Sequence, residues 1–156
     1  TAEDAGVPYV NEGWLGGSIT NFNVIKKAIK KYKTLKEEQA SGKLEKYTKK
    51  EQLDIAREIA RLDKKVGGLV SLAKIPDVLF IWDIKHEDTA LAEAKKKKLP
   101  IVAICDTNVN PTGVDYIIPG NDDAIKAVKL ILGYVGEAIK PGKAKAANQQ
   151  TVISKQ

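Results

Sequence analysis

The chain has 156 residues and a formal net charge of +6, and 43% of its residues are hydrophobic while 29% are charged. This balance is typical of a globular chain of one domain, and it argues against a disordered protein. No apolar run approaches the roughly 18 residues of a membrane helix. A single Cys105 and a single His86 exclude an internal disulfide and a Cys- or His-rich metal site.

The N-terminal part begins with a short apolar segment and a turn-rich loop. Residues 7–10 (VPYV) predict a strand, and residues 11–21 (NEGWLGGSITN) combine three glycines with Ser, Thr and Asn, which is typical of turns. Thr20 or Asn21 is then a suitable N-cap for a helix. That helix is predicted by an apolar stripe at spacings of 3, 4, 3 and 3, formed by Phe22, Ile25, Ile29, Tyr32 and Leu35.

A second amphipathic helix follows the stop at Ser41-Gly42. Thr48 and Glu51 have the spacing of a capping box. The next apolar stripe ends before Gly67-Gly68 and consists of Ile55, Ile59, Leu62 and Val66, at spacings of 4, 3 and 4. Two such helices with a short connection predict an antiparallel hairpin over residues 22–66. Because each stripe is narrow, we expect a coiled-coil-like pair that projects from a core.

Strands and helices alternate in the rest of the chain. Three segments are apolar on both faces and predict strands of a buried parallel sheet: residues 78–83 (VLFIWD), 101–106 (IVAICD) and 114–120 (VDYIIPG). Helices are predicted over residues 87–98 and 121–139, and Pro141-Gly142 is expected to end the second of them. The pattern therefore predicts an α/β fold with a parallel sheet.

Four regions are predicted along the chain. Residues 1–21 contribute a strand and a loop to an α/β core, and residues 22–66 form the hairpin. Residues 67–140 form the rest of the core, and residues 141–156 are a polar tail that we expect to be disordered. Only three strong strands and the short segment 7–10 are predicted, which is few for a doubly wound sheet. We therefore expect that an N-terminal βα portion is missing and that the chain is part of a longer protein.

The positive charge is concentrated in the predicted hairpin. Residues 26–65 hold 14 basic and 7 acidic residues, and residues 26–36 contain six lysines and no acid. A field of this density attracts polyanions, of which nucleic acid is the commonest. The alternative is a solvated helix face, although such a face gains from mixed signs at i,i+4 spacing. For the run 95–98, a solvated helix end is slightly preferred over a second polyanion contact.

Two strand-end aspartates are the main candidates for catalysis. Asp83 and Asp106 each end a predicted strand, where open α/β sheets place their sites, so a metal or phosphoacceptor pocket is one interpretation. Turn capping is preferred, because no second carboxylate pairs closely with either one. His86 fits a helix-entry cap better than a general base, and Cys105 fits a buried hydrophobe better than a nucleophile. The sequence thus predicts no catalytic residue, no metal ligand and no cofactor.

The loop before the first helix allows two interpretations. Gly16 and Gly17 match neither a dinucleotide-binding nor a P-loop motif. They either let the backbone approach a phosphate or form a plain turn. Trp14 either stacks on a base or anchors the loop to the base of the hairpin.

Several long motifs occur in the order found in one known family. They are PYVNEGWLGGSITNF (8–22), the lysine-rich hairpin, KKVGGL (64–69), IPDVLFIWD (75–83) and TGVDYIIPGNDDAIKAV (112–128). Over residues 8–139 the chain resembles small-subunit ribosomal protein two, of bacterial or organellar type. The resemblance implies a flavodoxin-like parallel sheet with an inserted coiled-coil hairpin, binding to small-subunit ribosomal RNA and no catalytic role. Gly13 stands where the family usually has Arg, which removes one cationic RNA contact expected of the family.

We therefore expect a structural constituent of the small ribosomal subunit, on ribosomes of the cytoplasm or of an organelle. Its expected partners are ribosomal RNA and neighbouring ribosomal proteins, with no membrane and no small-molecule substrate. The predicted RNA-binding residues are Trp14, Gly16, Gly17, Asn21, Lys26, Lys27, Lys30, Lys31, Lys33, Lys36, Lys49 and Lys50. The alternative is a small doubly wound α/β enzyme or receiver-type domain that uses Asp83 or Asp106.

Overall fold

The computed structural model describes the backbone of residues 2–153 and the side chains of residues 2–145. Within this part of the chain a pair of long helices is followed by an α/β unit. In chain order the elements are α1 (Phe22–Ala40), α2 (Lys49–Val66), β1 (Leu79–Ile81), α3 (Asp88–Lys96), β2 (Ile101–Cys105), β3 (Tyr116–Pro119) and α4 (Ile125–Ile153). No helix within the described residues combines the length and the apolar character needed to cross a membrane.

The three described strands form one parallel sheet in the order β1-β2-β3. Because successive side chains of a strand point to opposite faces, Ile101, Ala103 and Cys105 share one face of β2. This face is buried together with Ala90 and Ala94 of α3, the helix that connects β1 to β2. The arrangement confirms the predicted flavodoxin-like α/β fold.

The connection from β2 to β3, all of whose residues the structure describes, contains no helix, and the sequence predicts none between residues 106 and 114. Val102 lies opposite Tyr116, so residues 106–115 return from the end of β2 to its start as a loop, with turns at residues 107–108 and 112–113. Asp115 fixes this loop there, because its N–H donates to the carbonyl oxygen of Ile101 at 3.0 Å and its Oδ2 accepts from the Ile101 N–H at 2.8 Å. The sheet edge at β3 is left largely exposed.

Helices α1 and α2 pack along one shared apolar cluster. Its buried members are Phe22, Ile25, Ile29, Tyr32, Ile59, Leu62, Val66 and Leu69. Toward the connection between the helices, the cluster extends to the partly buried Leu35 and Ile55. The helical pair is thus present, while its coiled-coil character, its projection from the core and the four predicted region boundaries stay predictions.

The capping box predicted at the start of α2 is confirmed. The Thr48 N–H donates to Glu51 Oε2 at 2.8 Å, and the Thr48 hydroxyl accepts from the Glu51 N–H at 3.4 Å. Asn21 occupies the cap position of α1, as one of the two alternatives predicted, but its side chain makes no capping hydrogen bond. The loop before α1 is held by a different residue, described below.

The prediction of a strand at residues 7–10 is wrong, because these residues have irregular backbone. The Tyr9 N–H donates to the carbonyl oxygen of Gly68 at 3.0 Å, which ties the segment to the end of the helical pair and not to the sheet. A strand needs a hydrogen-bonded neighbour along several residues. An apolar segment without such a neighbour follows the surface against which it packs.

The prediction that Pro141-Gly142 ends the last helix is also wrong, since α4 continues to Ile153. Proline inside a helix removes one hydrogen bond and costs about 3 kcal/mol, which is not always enough to end it. The Lys143 ammonium donates to the carbonyl oxygens of Ala5 and Gly6 at 3.3 and 2.7 Å, so the turn after Pro141 is held in place. Helical backbone therefore replaces the disordered tail predicted at residues 144–153, and residues 154–156 lie outside the described residues.

Candidate nucleic-acid interface

The outer face of α1 carries a row of lysines. Lys26, Lys30 and Lys33 recur at spacings of 4 and 3, so they lie on one face of the helix, with Lys27 beside them. All four side chains are exposed, and the buried residues Phe22, Ile25, Ile29 and Tyr32 of α1 pack on the other side against α2. The helical period thus separates a packing face from a cationic face.

Two of the six α1 lysines that are predicted to bind RNA are paired with acids of α2. The Lys31 ammonium lies 2.7 Å from Glu58 Oε1, and the Lys36 ammonium lies 3.9 Å from Asp63 Oδ1. Side-chain hydrogen bonds from Arg61, which has the larger effect, and from Lys31 lower the pKa of Glu58 to about 2. Hence part of the positive charge of α1 is neutralised by residues distant in sequence.

The other four lysines form the cationic face proper. Within the described residues, no ion pair is present at Lys26, Lys27, Lys30 or Lys33. The Lys26 ammonium lies 5.2 Å from the ring centroid of Phe22, one turn earlier in the helix. These four ammonium groups are therefore free to contact an external anion.

Lys49 and Lys50 lie at the first turn of α2, next to the connection between the helices. Both are exposed. The N-terminus of a helix carries partial positive charge, so lysines at this position do not stabilise the helix. Helix stability therefore does not account for their presence, and RNA contact by Lys49 and Lys50 stays a prediction.

Glu93 is the central residue of the loop before α1, and the sequence reasoning missed it. It belongs to α3, and the residue is only 7% exposed. Its Oε2 accepts hydrogen bonds from the N–H groups of Ile19 and Thr20 at 2.9 Å each and from the Thr20 hydroxyl at 3.1 Å. The sequence feature that could have revealed Glu93 is its position on the apolar face of α3, between Ala90 and Ala94. A charged side chain is stable on a buried face only when it has hydrogen-bond partners.

The ionised form of Glu93 is the stable one. Burial by itself raises the pKa of Glu93, but hydrogen bonds from the N–H groups of Thr20, Gly17 and Ile19 outweigh burial and hold this pKa below its ordinary value. A carboxylate thus occupies the set of N–H groups that precedes a helix, a position in which proteins often bind a phosphate.

The hydrogen bonds that Glu93 accepts from the loop, called the clamp below, involve two of the predicted RNA-binding residues, Gly17 and Trp14. The Gly17 N–H donates to Glu93, at a φ of 89° that favours glycine, and is therefore not left for a phosphate. The Trp14 indole N–H lies 3.4 Å from Glu93 Oε1, and the Trp14 backbone N–H donates to Glu87 Oε2 at 3.2 Å. Both contacts favour Trp14 as an anchor of the loop. Gly16 is exposed.

Loop residue Asn21 is also exposed. RNA contact by Trp14, Gly16, Gly17 and Asn21 stays a prediction.

The strand-end aspartates act locally. Asp83 Oδ1 accepts from the N–H groups of Lys85 and His86 at 2.8 and 3.0 Å, and Asp83 Oδ2 lies 2.6 Å from His86 Nδ1. Asp106 Oδ1 accepts from the N–H of Thr107 at 2.6 Å. Within the described part of the chain, no group of three His, Cys, Asp or Glu side chains is arranged to hold a metal ion. Cys105 is buried, as predicted.

Comparison with protein families adds a finding to this geometry. The family described as Ribosomal protein S2 matches residues 1–142 of the chain, well over half of its length. The match covers α1, α2, the sheet and most of α4.

Proposed function

The chain belongs to the ribosomal protein S2 family, a structural component of the small ribosomal subunit, and we propose that it binds small-subunit ribosomal RNA mainly through phosphate contacts made by the helical pair. The observation that carries the proposal is the row of exposed lysines on α1, at which no ion pair is present within the described residues. Lys26, Lys27, Lys30 and Lys33 supply most of the affinity in this proposal, and Lys49 and Lys50 extend the contact toward the connection.

The recognition that this surface supports is recognition of RNA shape. Lysine ammonium groups act as point charges toward phosphates and carry little information about bases. Trp14, the aromatic side chain in the neighbouring loop, is turned toward Glu93 and the core cluster around Ile101. A rigid cationic helix therefore reads the spacing of phosphates in a folded RNA, while the α/β unit provides further RNA contacts and contacts with neighbouring ribosomal proteins.

The proposal is tested by the salt dependence of RNA binding. We expect the triple variant Lys26→Ala, Lys30→Ala, Lys33→Ala to bind a transcript of small-subunit ribosomal RNA more weakly and with a lower salt slope. The slope of log K against log salt should fall by about 0.7–0.9 for each lost phosphate contact.

The matched control removes three exposed lysines that already have acidic partners. Lys31, Lys36 and Lys64 are paired with Glu58, Asp63 and Glu12. Their triple replacement by Ala changes the net charge by the same amount, but it should change the slope less. Equal slopes for wild type and the first triple variant would contradict the proposed function.

A further inference from the structure

The C-terminal end of α3 has an unusual residue at its turning point. The Leu99 N–H donates to the carbonyl oxygen of Ala94, and the Lys98 N–H donates to that of Lys95, each at 3.0 Å. These two bonds define a Schellman motif, whose turning residue adopts the left-handed conformation and is usually glycine. Lys98 occupies this position with a φ of 54°. A lysine there is strained relative to glycine, so local structure does not explain the side chain.

The lysines around this turn differ in what they contact. The Lys95 ammonium donates to the carbonyl oxygen of Thr112 at 2.7 Å and so holds the loop between β2 and β3. Lys96, Lys97 and Lys98 are exposed, and no ion pair is present at them within the described residues. Consecutive positive charges repel one another, and the helix dipole stabilises only the lysines in the last turn of the helix. Lys98 lies beyond that turn.

The clamp at Glu93 connects this turn to the cationic face of α1. Glu93 precedes Lys96 by about one helical turn, and its carboxylate holds the N–H groups of Ile19 and Thr20. Helix α1 begins at Phe22, two residues later. The hydrogen bonds of Glu93 therefore fix the lysines of α1 and the lysines at the end of α3 relative to each other. Two anion-binding patches fixed in this way bind a polyanion more tightly than two patches that move independently.

We infer that Lys96, Lys97 and Lys98 form a second phosphate-contacting patch, which binds the same folded RNA as the cationic face of α1. This inference rests on the proposed function and assigns one of the RNA contacts of the α/β unit to named residues. The partner that fits three adjacent ammonium groups on a tight turn is the phosphate backbone of an RNA, not the edges of its bases. The Lys98 side chain is kept at a strained position because it contributes a phosphate contact.

The first experiment replaces Lys98 by glycine in the full chain. Glycine relieves the strain of the left-handed conformation, so the midpoint of thermal unfolding should rise by about 2–4 °C. Loss of the ammonium group should weaken binding of the small-subunit ribosomal RNA transcript and lower the salt slope by about 0.7–0.9. The binding result decides the inference: weaker binding by a protein at least as stable as wild type supports the patch, and unchanged binding overturns it.

The second experiment compares two triple variants with equal changes in net charge. Lys96→Ala, Lys97→Ala, Lys98→Ala should lower the salt slope by about 2–3, whereas Lys126→Ala, Lys129→Ala, Lys140→Ala on α4 should leave it nearly unchanged. Equal losses in both variants would show a general effect of net charge and would overturn the patch.

The variant of α1 separates this inference from the proposed function. If Lys26→Ala, Lys30→Ala, Lys33→Ala lowers the slope and the α3 variant does not, the second patch is wrong and RNA binding by the helical pair stands. If neither variant changes the slope, the proposed function and the second patch are both wrong.

Discussion

The carboxylate of Glu93 accepts two hydrogen bonds from Thr20, one from the backbone N–H at 2.9 Å and one from the hydroxyl at 3.1 Å, although the two residues are 73 positions apart. This contact joins α3 to the loop that enters α1, and so joins the sheet to the lysine-bearing helices. A buried ionised group makes a large difference to stability when its partners are removed.

Replacement of Glu93 by Gln should destabilise the fold. The amide keeps one acceptor oxygen and turns a donor toward the N–H groups of the loop, so at least one buried N–H group loses its partner. We expect a loss of about 2–4 kcal/mol in the free energy of unfolding at pH 7. A denaturant titration measures it, and Glu137→Gln, at an exposed position of α4, should change stability by less than about 0.5 kcal/mol.

The effect of Glu93 should depend on pH in a defined direction. Its pKa is lower in the folded state than in the unfolded state, where it is about 4.3, so the stabilisation is complete above that value. It is lost as the pH falls through the folded-state pKa. The difference in unfolding free energy between wild type and Glu93→Gln should therefore be constant above about pH 5 and shrink in more acidic solution. A difference that grows with acidification would contradict the assignment of an ionised Glu93.

Replacement of Gly68 by Ala should destabilise the base of the helical pair. A Cβ atom at this position would lie 2.3 Å from the carbonyl oxygen of Tyr9, a backbone atom that cannot move without shifting the N-terminal segment. We expect a loss of about 1–3 kcal/mol, measured by denaturant titration.

Gly133 is the matched control for this substitution. It lies inside α4, and a Cβ atom added to it would have no side chain or neighbouring element of the described residues within 4 Å. Gly133→Ala should stabilise the protein by about 0.5–1 kcal/mol, because Ala has the higher helix propensity. If both substitutions changed the free energy of unfolding in the same direction, the contact with the Tyr9 carbonyl oxygen would not be what determines the effect of Gly68→Ala.

Replacement of Asp106 by Ala should affect folding and not RNA binding. Asp106 accepts from the N–H and the hydroxyl of Thr107, at 2.6 and 3.2 Å, and so stabilises the turn after β2. We expect a loss of about 0.5–2 kcal/mol, as for a lost cap, with nearly unchanged RNA affinity. A denaturant titration beside an RNA titration measures both. A submillimolar Mg²⁺ or phosphate site that disappears in this variant would instead support an enzymatic role.

Replacement of Thr48 by Ala should test the capping box at the start of α2. The variant removes the hydroxyl that accepts from the Glu51 N–H, and we expect a loss of about 0.5–2 kcal/mol. Circular dichroism during thermal unfolding measures the change. Thr34→Ala, at an exposed position inside α1, is the control and should be neutral or slightly stabilising, since Ala is the better helix former.

The sequence by itself determined the elements whose signals are local. The apolar stripe of α1, the capping box at Thr48 and the stop at Gly67-Gly68 all depend on residues within a few turns of one another. The strands β1 and β2 can be predicted for a similar reason, because a run that is apolar on both faces is typical of a strand in a buried parallel sheet. Family motifs added the function to this local information.

Tertiary structure alone decided the features that depend on partners distant in the chain. Residues 7–10 carry a strand-like pattern but lie beside Gly68, away from the sheet, and Lys31 loses its free charge to Glu58, 27 positions later. Glu93 is the clearest case, because α3 gives its carboxylate a place on a buried face and the loop before α1 supplies the hydrogen bonds that make burial possible. The sequence shows that a charged side chain needs hydrogen-bond partners when it is buried and that an apolar side chain needs a buried environment. Only the folded chain determines which residues provide them.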